Sequence, residues 1–240
     1  MPLKSVKVFS FSGIDGAGKS TQIEALTQHF QQHGMRVSIY TFWDDIVVFS
    51  KIRERLSLSV FKGDRGVGSP DRPIVRRDKN VSSPSVIASR FLLYALDALR
   101  LCTFTTKMVL GDKDVIIFDR YIYDELANLP LERRFVRLYG KVLLRFTPKP
   151  DFAFLLDADP EGAWARKPEY PLDFVRCNRD AYLRLARLAG MTVLPPSTIE
   201  QTSSRILELA SSSYADKGEA DTVLAEDYSS PANPPGRATT

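Results

Sequence analysis

Reactive sulfur and imidazole are scarce in this sequence: two cysteines and two histidines among 240 residues. Neither pair reads as a metal centre. Cys102 and Cys177 have no ligand spacing, and His29 and His33, four apart on one helix, have no third ligand beside them. So few cysteines exclude a disulfide scaffold and fit a reducing, cytoplasmic compartment. Long apolar runs are also lacking. The nearest, FLLYALDALRLCTF, is broken by Asp97 and Arg100, so no span and no membrane partner is expected, and no apolar stretch near Met1 has the form of a secretion signal. Charge of one sign is not concentrated either. Lys and Arg total 33 against 29 Asp and Glu, a net charge of +4, and the basic residues are spread out, so no nucleic-acid partner is expected. What is present is 44% hydrophobic residues, enough to build the core of one α/β domain.

Short apolar runs alternate with helical periodicity along the chain. Strand candidates are Val6–Phe11, MRVSIYTF, DVIIF, DFAFLLD and MTVL. The continuous apolar character of DVIIF and DFAFLLD is that of strands buried on both faces. Between them, Lys19–Gln32 repeats Ile23, Leu26 and Phe30 at helical spacing. DDIVVFSKIRERLSLSVF reads as a helix opened by an Asp cap. Pro84 to about Leu110 reads as a long helix, apolar on most of its circumference and therefore central. LERRFVRLYGKVLLRF is a basic amphipathic helix, and PLDFVRCNRDAYLRLARLAG and TIEQTSSRILELA complete the set. The alternation predicts a parallel sheet with helices on both faces. The domain is expected to cover residues 1–210, followed by a disordered tail over 211–240, which is rich in Ser and Pro.

The sharpest signal is GIDGAGKS, Gly13 to Ser20, which matches G-x-x-x-x-G-K-[ST] between a strand and a helix. Gly13, Gly16, Ala17, Gly18, Lys19, Ser20 and Thr21 form the candidate nucleotide-phosphate set. Glycines let backbone N–H groups turn inward around phosphates, and the helix N-terminus adds partial positive charge. Lys19 is expected to reach the β- and γ-phosphates of ATP, and Ser20 to ligate Mg²⁺. A second candidate follows in DVIIFDRY. Asp119 closes a buried strand, at the edge where ligands gather in open α/β sheets, and can hold Mg²⁺. Arg120 follows it and is suited to clamp a phosphate.

With these residues in place the chain resembles the thymidylate kinase family of P-loop nucleoside monophosphate kinases over about residues 5–210. GIDGAGKST, LLYALDALR, VIIFDRY and PDFAFLLDADPEGAWAR resemble four of its motifs in order. The resemblance implies a P-loop NTPase fold with a five-stranded parallel sheet flanked by helices, an ATP·Mg²⁺ donor site, and a lid around 160–172, here shortened. It implies that Arg166, at the start of that lid, stabilises the migrating phosphoryl group together with Lys19 and Arg120, and that Pro195-Pro196-Ser197 lies near the adenine. It also directs the carboxylate of Asp15 away from the triphosphate, toward the acceptor or an arginine such as Arg120.

The acceptor side departs from the family pattern. The usual Arg-Glu-Pro-Gly after the second strand is TFWDDIVVF here. The acceptor-binding Arg of the long helix is Ala98, and the Ser-Ser-x-Ala-Tyr-Gln after the DRY is DELANL. Asp15, Asp97, Arg100 and Arg120 are the remaining acceptor candidates, with Asp97 expected to pair with Arg100 or Arg90 on its own helix face. The loop holding Arg65, Arg72, Arg76, Arg77 and Lys79 offers further cations. A monophosphate acceptor ranks first, because Asp119-Arg120 resembles the monophosphate kinases; the alternatives are an uncharged nucleoside hydroxyl, with Asp44 or Asp45 as base, and a nucleotide-binding regulator with little turnover. A homodimer is left open as well.

Overall fold

The computed structural model describes residues 6–50, 53 and 83–211. The basic loop, the later part of the helix expected from Asp44 onward, and the expected tail beyond Ser211 lie outside these residues. The chain divides into two compact units, Met1–Ile199 and Glu200–Thr240; in the second, residues 200–211 are helical.

The first unit holds a five-stranded, all-parallel sheet in the order β2-β3-β1-β4-β5. The strands are β1 Lys7–Ser12, β2 Val37–Thr41, β3 Val115–Asp119, β4 Phe152–Leu156 and β5 Thr192–Leu194. The helices are α1 Lys19–Gln32, α2 Pro84–Val109, α3 Ile122–Leu126, α4 Arg134–Phe146, α5 Pro160–Arg166 and α6 Leu172–Ala189. The expected parallel α/β architecture is the one observed. β1 is central and buried along its whole length, because side chains alternate between two covered faces. Phe9 meets Phe30 of α1, ring centroids 5.6 Å apart, on one face. On the other, Val8, Ile116, Phe118 and Leu155 join the core with α2, α4 and α6. Chain order reverses beside β1, since β2 and β3 lie to one side and β4 and β5 to the other. That reversal opens a crevice at the carboxyl ends of the strands.

Two expectations are corrected. No helix starts at Asp44. Phe42–Ile46 make one wide helical turn, closed by Val47 N–H donating to the Phe42 carbonyl at 3.0 Å. Asp45 turns back to accept from Thr41 N–H at 2.8 Å, so the cap serves the end of β2. α2 is not central: Ile87, Tyr94, Asp97, Ala98 and Leu101 are buried, but Leu92 is 64% and Leu99 65% exposed. Apolar residues around a helix do not fix burial when only one side meets the sheet.

The phosphate loop is seated by close contact. Gly16 has φ +82°, and a Cβ there would lie 2.3 Å from the Ala163 carbonyl of α5. Gly18 has φ +88° with open space around it. Gly16→Ala therefore meets both a backbone clash and left-handed strain, whereas Gly18→Ala meets strain alone. Urea unfolding should show a loss of about 3 kcal/mol or more for the first and about 1 kcal/mol for the second.

Candidate functional site

The crevice is built around the turn from β1 into α1. Lys19 is buried, and its ammonium donates to the Gly13 and Ile14 carbonyls, both at 2.9 Å. Burial, and then the Arg120 charge, lower its pKa to about 8, although Asp15, Asp124 and Asp119 pull the other way. A phosphate arriving at the loop would supply the counter-charge that the two carbonyls lack.

Two arginines reach this loop from different elements. Arg166, the last residue of α5, donates through Nε to the Gly16 carbonyl at 3.0 Å. Arg120, just past β3, donates through Nη2 to Asp15 Oδ1. The Asp15 side chain thus pairs with Arg120, one of the two directions expected for it. Arg120 has φ +68°, and its N–H extends the sheet to the Phe11 carbonyl at 2.9 Å. Its guanidinium is mostly buried. Burial opposes its charge, but Tyr182, Asp124, Asp15 and Asp119 more than offset this and raise its pKa.

Asp124 was not legible as a site residue. It is buried in α3 and accepts from Ser12 Oγ at 2.7 Å, Tyr121 N–H at 3.0 Å, Tyr182 OH at 2.7 Å and Arg120 Nη1 at 3.2 Å. Tyr182, from α6, also lies 3.4 Å from Arg120 Nη1. The available signal was the replacement of a neutral Ser by an acid three residues past the tyrosine of the DRY.

Asp119 closes β3 with its Oδ1 buried and without a hydrogen-bond partner. Asp119, Ser20 and Thr41 line one cleft of about 390 Å³. An orphaned carboxylate oxygen beside a hydroxyl fits a hard cation. Among the described residues no three His, Cys, Asp or Glu side chains are grouped so as to hold a metal ion. This donor set therefore suits Mg²⁺ shared with substrate phosphates and water rather than a closed protein cage.

Asp97 is fully buried, and its ion pair is found with a different partner from the one expected. Arg53 donates to it through Nη1 at 2.7 Å and Nη2 at 2.9 Å, and Val48 N–H adds 2.7 Å. Burial raises the Asp97 pKa, and the Arg53 and Val48 hydrogen bonds hold it down in part. Arg100 is exposed and donates to the Asp45 carbonyl at 3.1 Å, and Arg90 donates to the Asn128 carbonyl at 3.0 Å. Both are engaged with backbone carbonyls, and the buried acid instead takes an arginine from the chain that follows β2. Asp44 is exposed. Cys102 and Cys177 are free. Among the described residues no helix is long and apolar enough to cross a membrane.

No model of a known protein family matches the chain. Curated relatives do. The chain is 31% identical over 189 residues to a probable thymidylate kinase of Thermococcus kodakarensis, covering 73% of this chain and 82% of that protein. It is 30% identical over 187 residues to a probable thymidylate kinase of Methanothermobacter thermautotrophicus, covering 75% and 81%. It is 28% identical over 195 residues to a thymidylate kinase of Caldanaerobacter subterraneus, covering 75% and 82%.

The two candidate partners of Asp97 are separable by mutation. Arg53→Ala leaves a buried carboxylate alone and should cost about 3 kcal/mol or more in urea unfolding. Arg100→Ala removes an exposed side chain and should stay within about 0.5 kcal/mol of the parent.

Proposed function

The chain belongs to the thymidylate kinase family and is a nucleotide kinase, and from that premise we propose that it transfers the γ-phosphoryl group of ATP to a nucleoside monophosphate of the thymidylate class. One observation carries the reading: Lys19, Arg120 and Arg166, from three separate elements, all contact the phosphate loop at rest. Phosphoryl transfer needs little covalent chemistry from a protein; it needs charge stabilisation and alignment.

In the reaction an acceptor phosphate oxygen bonds to the γ-phosphorus while the β–γ bridging P–O bond breaks and ADP leaves. Gly13, Gly16, Ala17, Gly18, Ser20 and Thr21 hold the donor phosphates with backbone N–H groups and the helix terminus. The Lys19 ammonium moves from its two carbonyls to the β- and γ-oxygens. Arg166 neutralises the migrating group, and Arg120, steadied by Asp15, takes the acceptor phosphate. Ser20 and Asp119 would hold Mg²⁺, which when bound offsets charge on the donor phosphates. The uncharged-hydroxyl reading ranks lower: Asp45 is engaged by Thr41 N–H, and Asp44 is exposed. Compartment follows chemistry in this reading, and the enzyme works in the cytoplasm.

The same reading includes a homodimer. α2 and α4 lie side by side: Phe91 stacks on Tyr139 with centroids 3.8 Å apart, and Cys102 Sγ donates to the Phe146 carbonyl at 3.3 Å. Together these helices leave Leu92, Leu99, Phe135, Leu138, Val142 and Phe146 exposed, an apolar face of the kind that protein contacts cover. Leu138→Asp should convert a dimer to a monomer by light scattering; a parent protein that is monomeric at micromolar concentration would remove this part.

Turnover of ATP against a panel of nucleosides and nucleoside monophosphates tests the main reading. Monophosphates should support ADP release, and Lys19→Ala should abolish it. Tight ATP binding without acceptor-dependent turnover would instead mark a nucleotide-binding regulator. Asp15→Ala should raise the acceptor KM by about tenfold while the ATP KM stays within about threefold; the reverse pattern would remove Asp15 from the acceptor side.

A further inference from the structure

We propose that Asp124, with Tyr182 as its co-anchor, is the residue that positions Arg120 for the acceptor phosphate, an inference that rests on the monophosphate reading above. Asp124 grips Arg120 at two points. Its Oδ1 takes the guanidinium through Nη1 at 3.2 Å. Its Oδ2 takes the N–H of Tyr121, the peptide directly after Arg120, at 3.0 Å. Both points matter because Arg120 has φ +68°, where a side chain with a Cβ is disfavoured. A single carboxylate therefore fixes the backbone turn and the direction of the arginine that issues from it.

The hydrogen-bond count separates positioning from catalysis. Ser12 Oγ and Tyr121 N–H approach Oδ2, and Tyr182 OH and Arg120 Nη1 approach Oδ1. A carboxylate offers about four lone-pair sites, so four donors fill it. Asp124 has no acceptor capacity left for a substrate hydroxyl and acts through Arg120. Among the described residues, Arg120 uses Nη1 for Asp124 and Tyr182, and one Nη2 hydrogen for Asp15. Of its five N–H donors, Nε–H and one Nη2 hydrogen remain, and free guanidinium donors suit capture of a phosphate.

The acid departs from the family pattern at this position. The family stretch Ser-Ser-x-Ala-Tyr-Gln, which begins at this position, is DELANL here. A hydroxyl carries one oxygen and cannot receive four donors from β1, the turn after β3 and α6. The acid at 124 and the phenol at 182 therefore act as a pair, set 58 residues apart in sequence.

Asp124→Asn keeps the shape but sets an amide NH₂ against two of the four donors. It should raise the acceptor KM by about 30-fold while ATP affinity, from calorimetry, changes less than about threefold. Tyr182→Phe leaves the carboxylate in place and should raise the acceptor KM by about three- to tenfold. A second readout needs no acceptor: in ¹⁵N spectra of the free protein, the Arg120 Nη1 hydrogens, which Asp124 and Tyr182 hold, should give a resolved, slowly exchanging signal that Asp124→Asn loses and Tyr182→Phe weakens. If Asp124→Asn does not fold, Tyr182→Phe decides alone. Unchanged acceptor KM and Arg120 signal, or equal losses of ATP and acceptor affinity, would overturn the proposal. If the parent turns over no monophosphate, the functional reading fails, and the Arg120 signal still decides whether Asp124 holds the guanidinium.

Discussion

One buried guanidinium organises the crevice. Arg120 sits where β3 ends, and carboxylates from two other elements close on it: Asp15 from the phosphate loop and Asp124 from α3. Burying a cation is costly unless its donors are matched, so the fold must bring these oxygens together before the arginine can stay. This requirement ties the phosphate loop to the strand beside it. It also explains the carboxylate in the loop. Asp15 would repel a phosphate if its side chain faced the donor, and it is turned to the arginine instead.

The phosphate loop was legible in sequence because it is local. Eight consecutive residues, Gly13 to Ser20, form one turn whose chemistry depends on backbone N–H groups and glycine conformations. The order of strands and helices was legible for the same reason, since hydrophobic periodicity is a short-range property. The acceptor half is assembled across distance and was not. Asp97 finds Arg53, 44 residues away, rather than Arg100 three residues on. On a helix, neighbours at that spacing share a face, but a buried acid takes whichever cation the tertiary fold delivers to its face. Asp124 and Tyr182 were unreadable for a similar reason. A Tyr on an amphipathic helix is ordinary core until a carboxylate is found at its hydroxyl.

α2 shows a different limit. Its circumference is apolar, and apolar character alone predicts burial. Only part of it is covered, and Leu92 and Leu99 stay exposed, as do Phe135, Leu138, Val142 and Phe146 of α4. Composition reports that a surface avoids water. It does not report whether the cover comes from the same chain or from another.

The link between α5 and α6 bears on how the arginine above the phosphate loop is delivered. α5 ends at Arg166 and α6 begins at Leu172, too short a connection for a free flap. It is also fastened, since Trp164 Nε1 donates to the Tyr170 carbonyl at 2.8 Å. At the other end Gly16 touches α5 so closely that no side chain fits between them. Arg166 therefore rests on the phosphate loop through contacts that involve no nucleotide. In the proposed reaction, an arginine resting there would need little reordering between binding and transfer. The glycine that the loop needs for its own turn is thus the same glycine that lets α5 approach, so the donor loop and the arginine above it form one packed piece.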